Sequence, residues 1–136
     1  MALQPQYAST PKVGTAVIST ANTNRDGTGT LGTVFTADTS GSRIDGIEIQ
    51  ATGTTTAGMV RLFVSDGTNH RLFAEVPVVA TTPSATVPAF SAFIQGNATG
   101  LVNITPLPIS IPTGWSLRAS THNAESFNVI AFGGDF

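Results

Sequence analysis

One segment of this sequence has residue types and spacing that could bind a metal ion. It reads Asn22-x-Asn24-x-Asp26-Gly27, and it resembles the opening of a calcium loop, where oxygen ligands alternate and glycine permits a sharp turn. Thr33, however, stands where such a loop places its bidentate glutamate. The pattern therefore favours a hydrated turn, and we expect no metal site and no cofactor.

Nucleophilic catalysis would need a serine or threonine beside a base, and the bases for that role are His70 and His122. Both lie in predicted hairpin turns, where an exposed histidine is common. The sequence has no Gly-x-Ser-x-Gly elbow, no histidine cluster and no Gly-x-x-x-x-Gly-Lys phosphate loop. We therefore expect no catalytic residue and no enzymatic activity.

The elements that must position these polar residues are β-strands. The clearest sequence pattern for strands is that of a hairpin over residues 58–78. Two runs of alternating apolar residues flank a turn that contains Asp66-Gly67. If that turn carries one extra bulge residue, a basic residue faces an acidic residue and one phenylalanine faces another across the two strands. The predicted pairs are Arg61 with Glu75, Leu62 with Ala74, and Phe63 with Phe73.

Further short alternating segments recur at intervals of about 8 to 12 residues. No segment carries a helical apolar stripe free of proline and glycine. The chain therefore predicts an all-β protein, an antiparallel two-sheet β-sandwich of jelly-roll type with about eight strands; an immunoglobulin-like sandwich is the less favoured form. The predicted strands are residues 13–19, 31–37, 42–52 with a bulge near Gly46, 89–95, an edge strand or extended connection over 101–111, and a last hairpin of 115–121 with 126–132.

The first residues differ from the rest of the chain. Residues 1–12 contain Pro5 and Pro11, which favour extended backbone, so we expect an extended N-terminal arm before a single domain over residues 13–136. Such an arm is either a frayed terminus or a strap onto a neighbouring molecule.

The composition limits the class of partner. Charged residues make up only 10% of the chain, against about 25% in an average soluble domain, which suits a protein packed against copies or partners. The net charge is −2 and the six basic residues are scattered, so we expect no nucleic-acid partner.

There is no cysteine for a disulfide framework. With no leader and no membrane segment evident in the sequence, we expect a soluble protein made in the cytoplasm.

Three segments resemble the small all-β virion proteins of tailed phages, and in particular the jelly-roll cement, or decoration, proteins of their capsids. They are residues 42–53 (SRIDGIEIQATG), residues 58–78, and residues 114–136 (GWSLRASTHNAESFNVIAFGGDF). The resemblance is one of pattern and contains no diagnostic motif. It implies a structural protein on the outer surface of the virion that bridges neighbouring subunits of the major capsid protein, as a homodimer or, less favoured, a homotrimer.

For such a protein we expect the contacts to be made by the arm, the proline-bearing edge and the terminal aromatic residue. The predicted interface residues are Leu3, Tyr7, Pro106, Pro108 and Phe136. The alternative is a tail-associated or carbohydrate-binding module, for which Tyr7, Trp115 and Phe136 are the candidate aromatic contacts.

Overall fold

The structure, a computed structural model, describes residues 8–95 and 107–136. The described residues form nine strands and no helix, so they include no helix that could cross a membrane. The strands are β1 (Thr10–Ile18), β2 (Gly32–Thr36), β3 (Ser42–Ala51), β4 (Gly58–Ser65), β5 (His70–Val78), β6 (Ser91–Gln95), β7 (Ile109–Ile111), β8 (Ser116–Thr121) and β9 (Phe127–Asp135). β1 begins three residues before the expected start of the domain at residue 13.

The strands form two antiparallel sheets that enclose one core. The five-stranded sheet has the order β1-β9-β3, with β6 and β7 both paired to β3, and the four-stranded sheet has the order β2-β8-β4-β5. β6 pairs with residues 46–50 of β3 and β7 with residues 42–44, so the two are halves of one interrupted edge strand. Counted in this way, eight strands are shared between the sheets in jelly-roll order. The predicted all-β fold is confirmed.

The predicted last hairpin is wrong. β8 lies between β2 and β4 in one sheet, whereas β9 lies between β1 and β3 in the other, so residues 122–126 cross from sheet to sheet. Alternation of apolar residues identifies both segments as strands with one face in the core, but it does not say which strand lies beside which.

The central hairpin is confirmed, and its register is confirmed in part. Arg61 pairs with Glu75 and Leu62 with Ala74, but Phe63 pairs with Leu72. The extra residue is thus Phe73, in mid-strand rather than at the turn. The bulge turns Phe73 towards the core and leaves Leu72 37% exposed on the outer side.

The core is built from the inward residues of both sheets. The fully buried apolar side chains of the core come mainly from the central strands β3, β4, β8 and β9, at the alternate positions that point inward. They include Ile44, Ile47, Ile49, Val60, Leu62, Leu117, Val129 and Ala131. β4 is covered on both sides, because Arg61 and Phe63, which do not belong to the core cluster, are buried as well. The bulge expected near Gly46 is present between Ile44 and Gly46, and it restores the inward direction of Ile47 after the break in alternation.

Candidate functional site

The outward side of the five-stranded sheet is the candidate functional surface, and we call it the exposed sheet face. Alternate residues of β1, β9, β3 and β6 point away from the core there, in three rows that run across the strands. The rows are Val13, Phe132, Gly46 and Gln95; Thr15, Ile130, Glu48 and Phe93; and Val17, Asn128, Gln50 and Ser91.

This face concentrates apolar side chains in contact with solvent. Val13 is 58% exposed, Val17 67%, Phe93 53% and Phe132 39%. They are four of the seven large apolar side chains that are exposed in the described part of the chain. Single exposed apolar residues are ordinary, whereas a cluster of them on one sheet is typical of interaction surfaces.

Gly46 shapes the centre of the face. A Cβ atom at Gly46 would lie 2.8 Å from Cζ of Phe93, so the absence of a side chain lets that ring lie across β3. The Phe93 ring then reaches Phe132 on the far side of β3, with ring centroids 6.3 Å apart and planes at 56°. Tilted rings at this distance attract each other. The two rings form one apolar platform.

The three rows carry a single charged side chain. Glu48 is half-buried between β9 and β6, and none of the ion pairs among the described residues includes it. The nearest charges along β3 are Arg43 and Asp45, which neutralise each other through a contact of 2.7 Å from Arg43 Nε to Asp45 Oδ1. The exposed sheet face is therefore almost uncharged, with five apolar and five polar uncharged side chains and one acidic side chain near its middle.

The opposite side of the sandwich is covered by residues 20–31, which we call the covering loop. The backbone N–H of Asn22 donates to the Thr121 carbonyl at 2.8 Å, and Arg25 Nε donates to Glu75 Oε1 at 2.8 Å. These contacts fasten the loop across β8 and β5. The part of the outer side of the four-stranded sheet around Arg61 is therefore covered by the chain itself, which distinguishes it from the exposed sheet face.

A buried arginine lies under the covering loop. Arg61 is only 2% exposed, and its Nη1 lies 3.2 Å from His122 Nδ1 and 3.5 Å from the Asn22 carbonyl. Because a guanidinium can only donate, Nδ1 of His122 accepts this hydrogen bond. Among the described residues Arg61 Nε has no hydrogen-bond partner, although Glu75 Oε2 stands 3.4 Å away.

Glu75 joins the two arginines electrostatically. The hydrogen bond from Arg25, with smaller contributions from the charges of Arg25 and Arg61, holds the pKa of Glu75 below its usual range. The same contact raises the pKa of Arg25. This cluster holds the covering loop on the sheet.

The segment that resembles a calcium loop closes on its own hydrogen bonds. Asn22 Nδ2 donates to the carbonyls of Thr28 and Thr30, at 3.0 Å each, and Asp26 Oδ1 accepts from the backbone N–H and the hydroxyl of Thr28. Two carbonyls that the loop could offer a cation are thus taken by an amide nitrogen. Within residues 8–95 and 107–136 no three carboxylate or imidazole groups come together as metal ligands.

The two histidines are not exposed turn residues as expected. His70 begins β5, with Nδ1 2.8 Å from Ser65 Oγ, and half-buried His122 follows β8 and contacts Arg61. Ser65 is fully buried and its Oγ accepts from the Gly67 N–H at 3.1 Å. The Ser65 hydroxyl next to His70 is therefore out of reach of a substrate.

The predicted interface residues fall in different places. Leu3, Tyr7 and Pro106 lie outside the described residues, as does the 101–106 part of the predicted edge strand. Pro108 is exposed just before β7, while half-buried Phe136 is attached to the turn before β3. Its N–H donates to the Gly41 carbonyl at 3.1 Å, and its carbonyl accepts from Ser40 Oγ at 2.6 Å.

Phe136 directly follows a paired strand, because β9 continues through Asp135 and pairs with β1 and β3. The exposed sheet face itself was not predicted from the sequence. One signal in the sequence could have found it: Ile130 and Phe132 make β9 apolar on the side opposite its core residues. A strand with large apolar side chains on both sides of a two-layer sandwich favours a further partner on its outer side.

A scan against protein-family models found no family that matches this chain, and a search of curated proteins found no match. The fold and the exposed sheet face are therefore the observations from which we infer a function.

Proposed function

We propose that this chain is a structural virion protein, a capsid decoration protein that binds the outside of a phage head and bridges neighbouring major capsid subunits. The observation that carries the proposal is the exposed sheet face, where Val13, Val17, Phe93 and Phe132 form an apolar surface on a folded domain. Clusters of exposed apolar side chains are typical of surfaces that contact another macromolecule, which supports the proposal.

The low charge of the chain supports a permanent place in an assembly. With 10% charged residues, the domain lacks the dense interspersed charge that keeps free monomers apart in solution. Sequence segments that resemble cement proteins and a jelly-roll fold agree with the proposal. Bridging gives it a mechanism, since a copy held by two capsid subunits leaves only when both contacts break together.

The alternative role, a tail-associated or carbohydrate-binding module, has less support. Trp115 is half-buried and packs against the core, so it does not present a ring for stacking on a sugar. Phe136 is fastened to the turn before β3. No contact among the described residues specifically favours glycan recognition.

The test uses heads of a phage that encodes this chain, prepared from a deletion strain. We expect the purified protein to cosediment with these heads, to raise the temperature at which they release DNA, and to appear by electron cryomicroscopy at fixed points of the outer lattice. Localisation only at the tail, or binding to host surface glycans with none to heads, would contradict the proposal. Particle reconstruction also tests the predicted dimer against the trimer.

A further inference from the structure

We infer that the exposed sheet face is the docking surface for a different protein, one that places apolar side chains on Phe93 and Phe132 and presents one lysine or arginine to Glu48. The inference rests on the proposed function, in which the different protein is the major capsid protein, and it names the surface and the chemistry of the contact.

The apolar part of the face defines most of the partner's patch. Phe93 and Phe132 pack together over Gly46 in the middle of the sheet, and Val13 and Val17 extend the surface along the edge strand β1. A partner that covers these side chains removes their apolar area from water, which is the main driving force of association. Aromatic residues at the centre of a patch are typical energetic anchors of interfaces.

The charge of Glu48 indicates whether the molecule that covers the exposed sheet face is a second copy of this chain or a different protein. Glu48 stands in the middle row, between Ile130 and Phe93, so the partner covers it when it covers the rings. Two copies stacked symmetrically through this face would bring two Glu48 carboxylates into the same dry region, and like charges there repel strongly. Because the described ion pairs leave Glu48 without a cation, the partner has to supply one.

The first experiment measures binding to heads that lack this protein. We expect Glu48→Lys to weaken binding about tenfold or more, because the substitution places like charges together. Glu48→Gln should weaken it less and reduce the dependence of binding on salt. Phe93→Ser should also weaken binding. Thr68→Lys, an exposed turn position that changes the net charge by the same amount as Glu48→Gln, and Val79→Ser, an exposed apolar position on a loop, are the matched controls.

The second experiment maps the covered side directly. The chain has no cysteine, so Thr15→Cys, in the middle row of the face, introduces a unique thiol, and Thr68→Cys on the β4–β5 turn is its control. We expect bound heads to slow alkylation at position 15 and to leave position 68 unchanged. Both substitutions replace an exposed threonine, so their effects on folding are comparable.

The outcomes separate this inference from the proposed function. If the unmodified protein binds heads and the Glu48 and Phe93 variants bind equally well, the docking surface is elsewhere and only this inference fails. If the unmodified protein does not bind heads, the proposed function fails and the inference fails with it. Protection of position 15 that grows with the concentration of free protein identifies a second copy as the occupant. Protection lost on deletion of residues 1–7 identifies the chain's own arm, and either result overturns the inference.

Discussion

Arg61 on β4 faces Glu75 on β5 with 3.4 Å between Nε and Oε2, although the arginine is only 2% exposed. The sequence pattern predicts this pair as a contact between opposite charges across the hairpin, on the side that does not face the core. In the folded protein the covering loop lies over it, so the charge of Arg61 is removed from water and depends on Glu75 for compensation.

Replacement of Glu75 by glutamine should therefore destabilise the fold by about 3 kcal/mol, since it leaves a buried charge without its partner. Arg25→Gln removes the exposed partner of the same carboxylate and should cost clearly less. Urea unfolding at pH 7 measures both. Adding Arg61→Met to Glu75→Gln should recover most of the loss, and equal destabilisation by Glu75→Gln and Arg25→Gln would contradict the assignment of Arg61 as a buried charge.

Asp135 should contribute a stability that is lost in acid. The hydroxyl of Ser42 donates to Asp135 Oδ1 at 2.5 Å, and this bond, with Lys12 Nζ at 3.2 Å, holds the pKa of Asp135 below its usual range. A carboxyl group with a lowered folded-state pKa stabilises the protein fully above its unfolded-state pKa of about 3.9, and loses that contribution as the pH falls through the folded-state pKa.

The measurement is the free energy of unfolding between pH 7 and pH 2.5 for the natural chain and for Asp135→Asn. Below about pH 4 the natural chain should lose more stability than Asp135→Asn does. Asp45→Asn is the control, because Asp45 is half exposed at the surface and paired only with Arg43. Parallel pH profiles for the natural chain and Asp135→Asn would show that the contact with Ser42 is not maintained in solution.

Gly27 should be essential for seating the covering loop. Its φ of +89° is left-handed, and a Cβ atom there would lie 2.3 Å from the His70 carbonyl oxygen. Gly114 has a similar φ of +85°, but a Cβ atom at that position would have no neighbouring atom within 4 Å, so it is the matched control. Gly114→Ala should cost about 1 kcal/mol for the backbone alone, and Gly27→Ala about 1 to 3 kcal/mol more for the collision.

Hydrogen exchange locates the effect of Gly27→Ala. The amide of Asn22, bonded to the Thr121 carbonyl, should exchange faster in Gly27→Ala and remain protected in Gly114→Ala. Equal losses of stability in the two variants would mean that the loop does not approach His70 closely.

Gly46→Ala should alter the exposed sheet face more than the stability of the fold. The new Cβ would meet Cζ of Phe93 at 2.8 Å, and this ring tip can rotate away, so the free energy of unfolding should change by about 1 kcal/mol or less. Displacing the ring separates it from Phe132 and should weaken head binding. Gly133→Ala is the contrasting variant: its Cβ would lie on the backbone oxygen of Arg43, at 1.8 Å, and should cost about 3 kcal/mol.

Alternation and turn residues were enough to predict most strands, the central hairpin and the bulge near Gly46, because those features depend on neighbouring residues in the chain. The shift of the bulge to Phe73 could not be predicted in the same way. It depends on whether Phe73 or Leu72 fills space in the core, which is decided by side chains of the other sheet.

The same distinction applies to the candidate site: some of its features can be predicted from the sequence and others depend on strand pairing. Val13 and Val17 are evident in the sequence as one side of a strand, but their exposure follows from the place of β1 at the edge of the five-stranded sheet. Phe93, Glu48 and Phe132 come from three segments of the chain, and only the pairing of β6, β3 and β9 brings them together. Local spacing does not contain that information.

The sequence by itself determined an all-β domain of low charge, since side-chain alternation and the scarcity of ionised residues are properties of the linear chain. The tertiary structure alone decided which side of each sheet meets water. The covering loop buries Arg61 on one side of the sandwich, whereas the other side is left with its apolar residues exposed. The physical reason is that burial depends on what packs above a strand, and the covering segment lies far from that strand in the sequence.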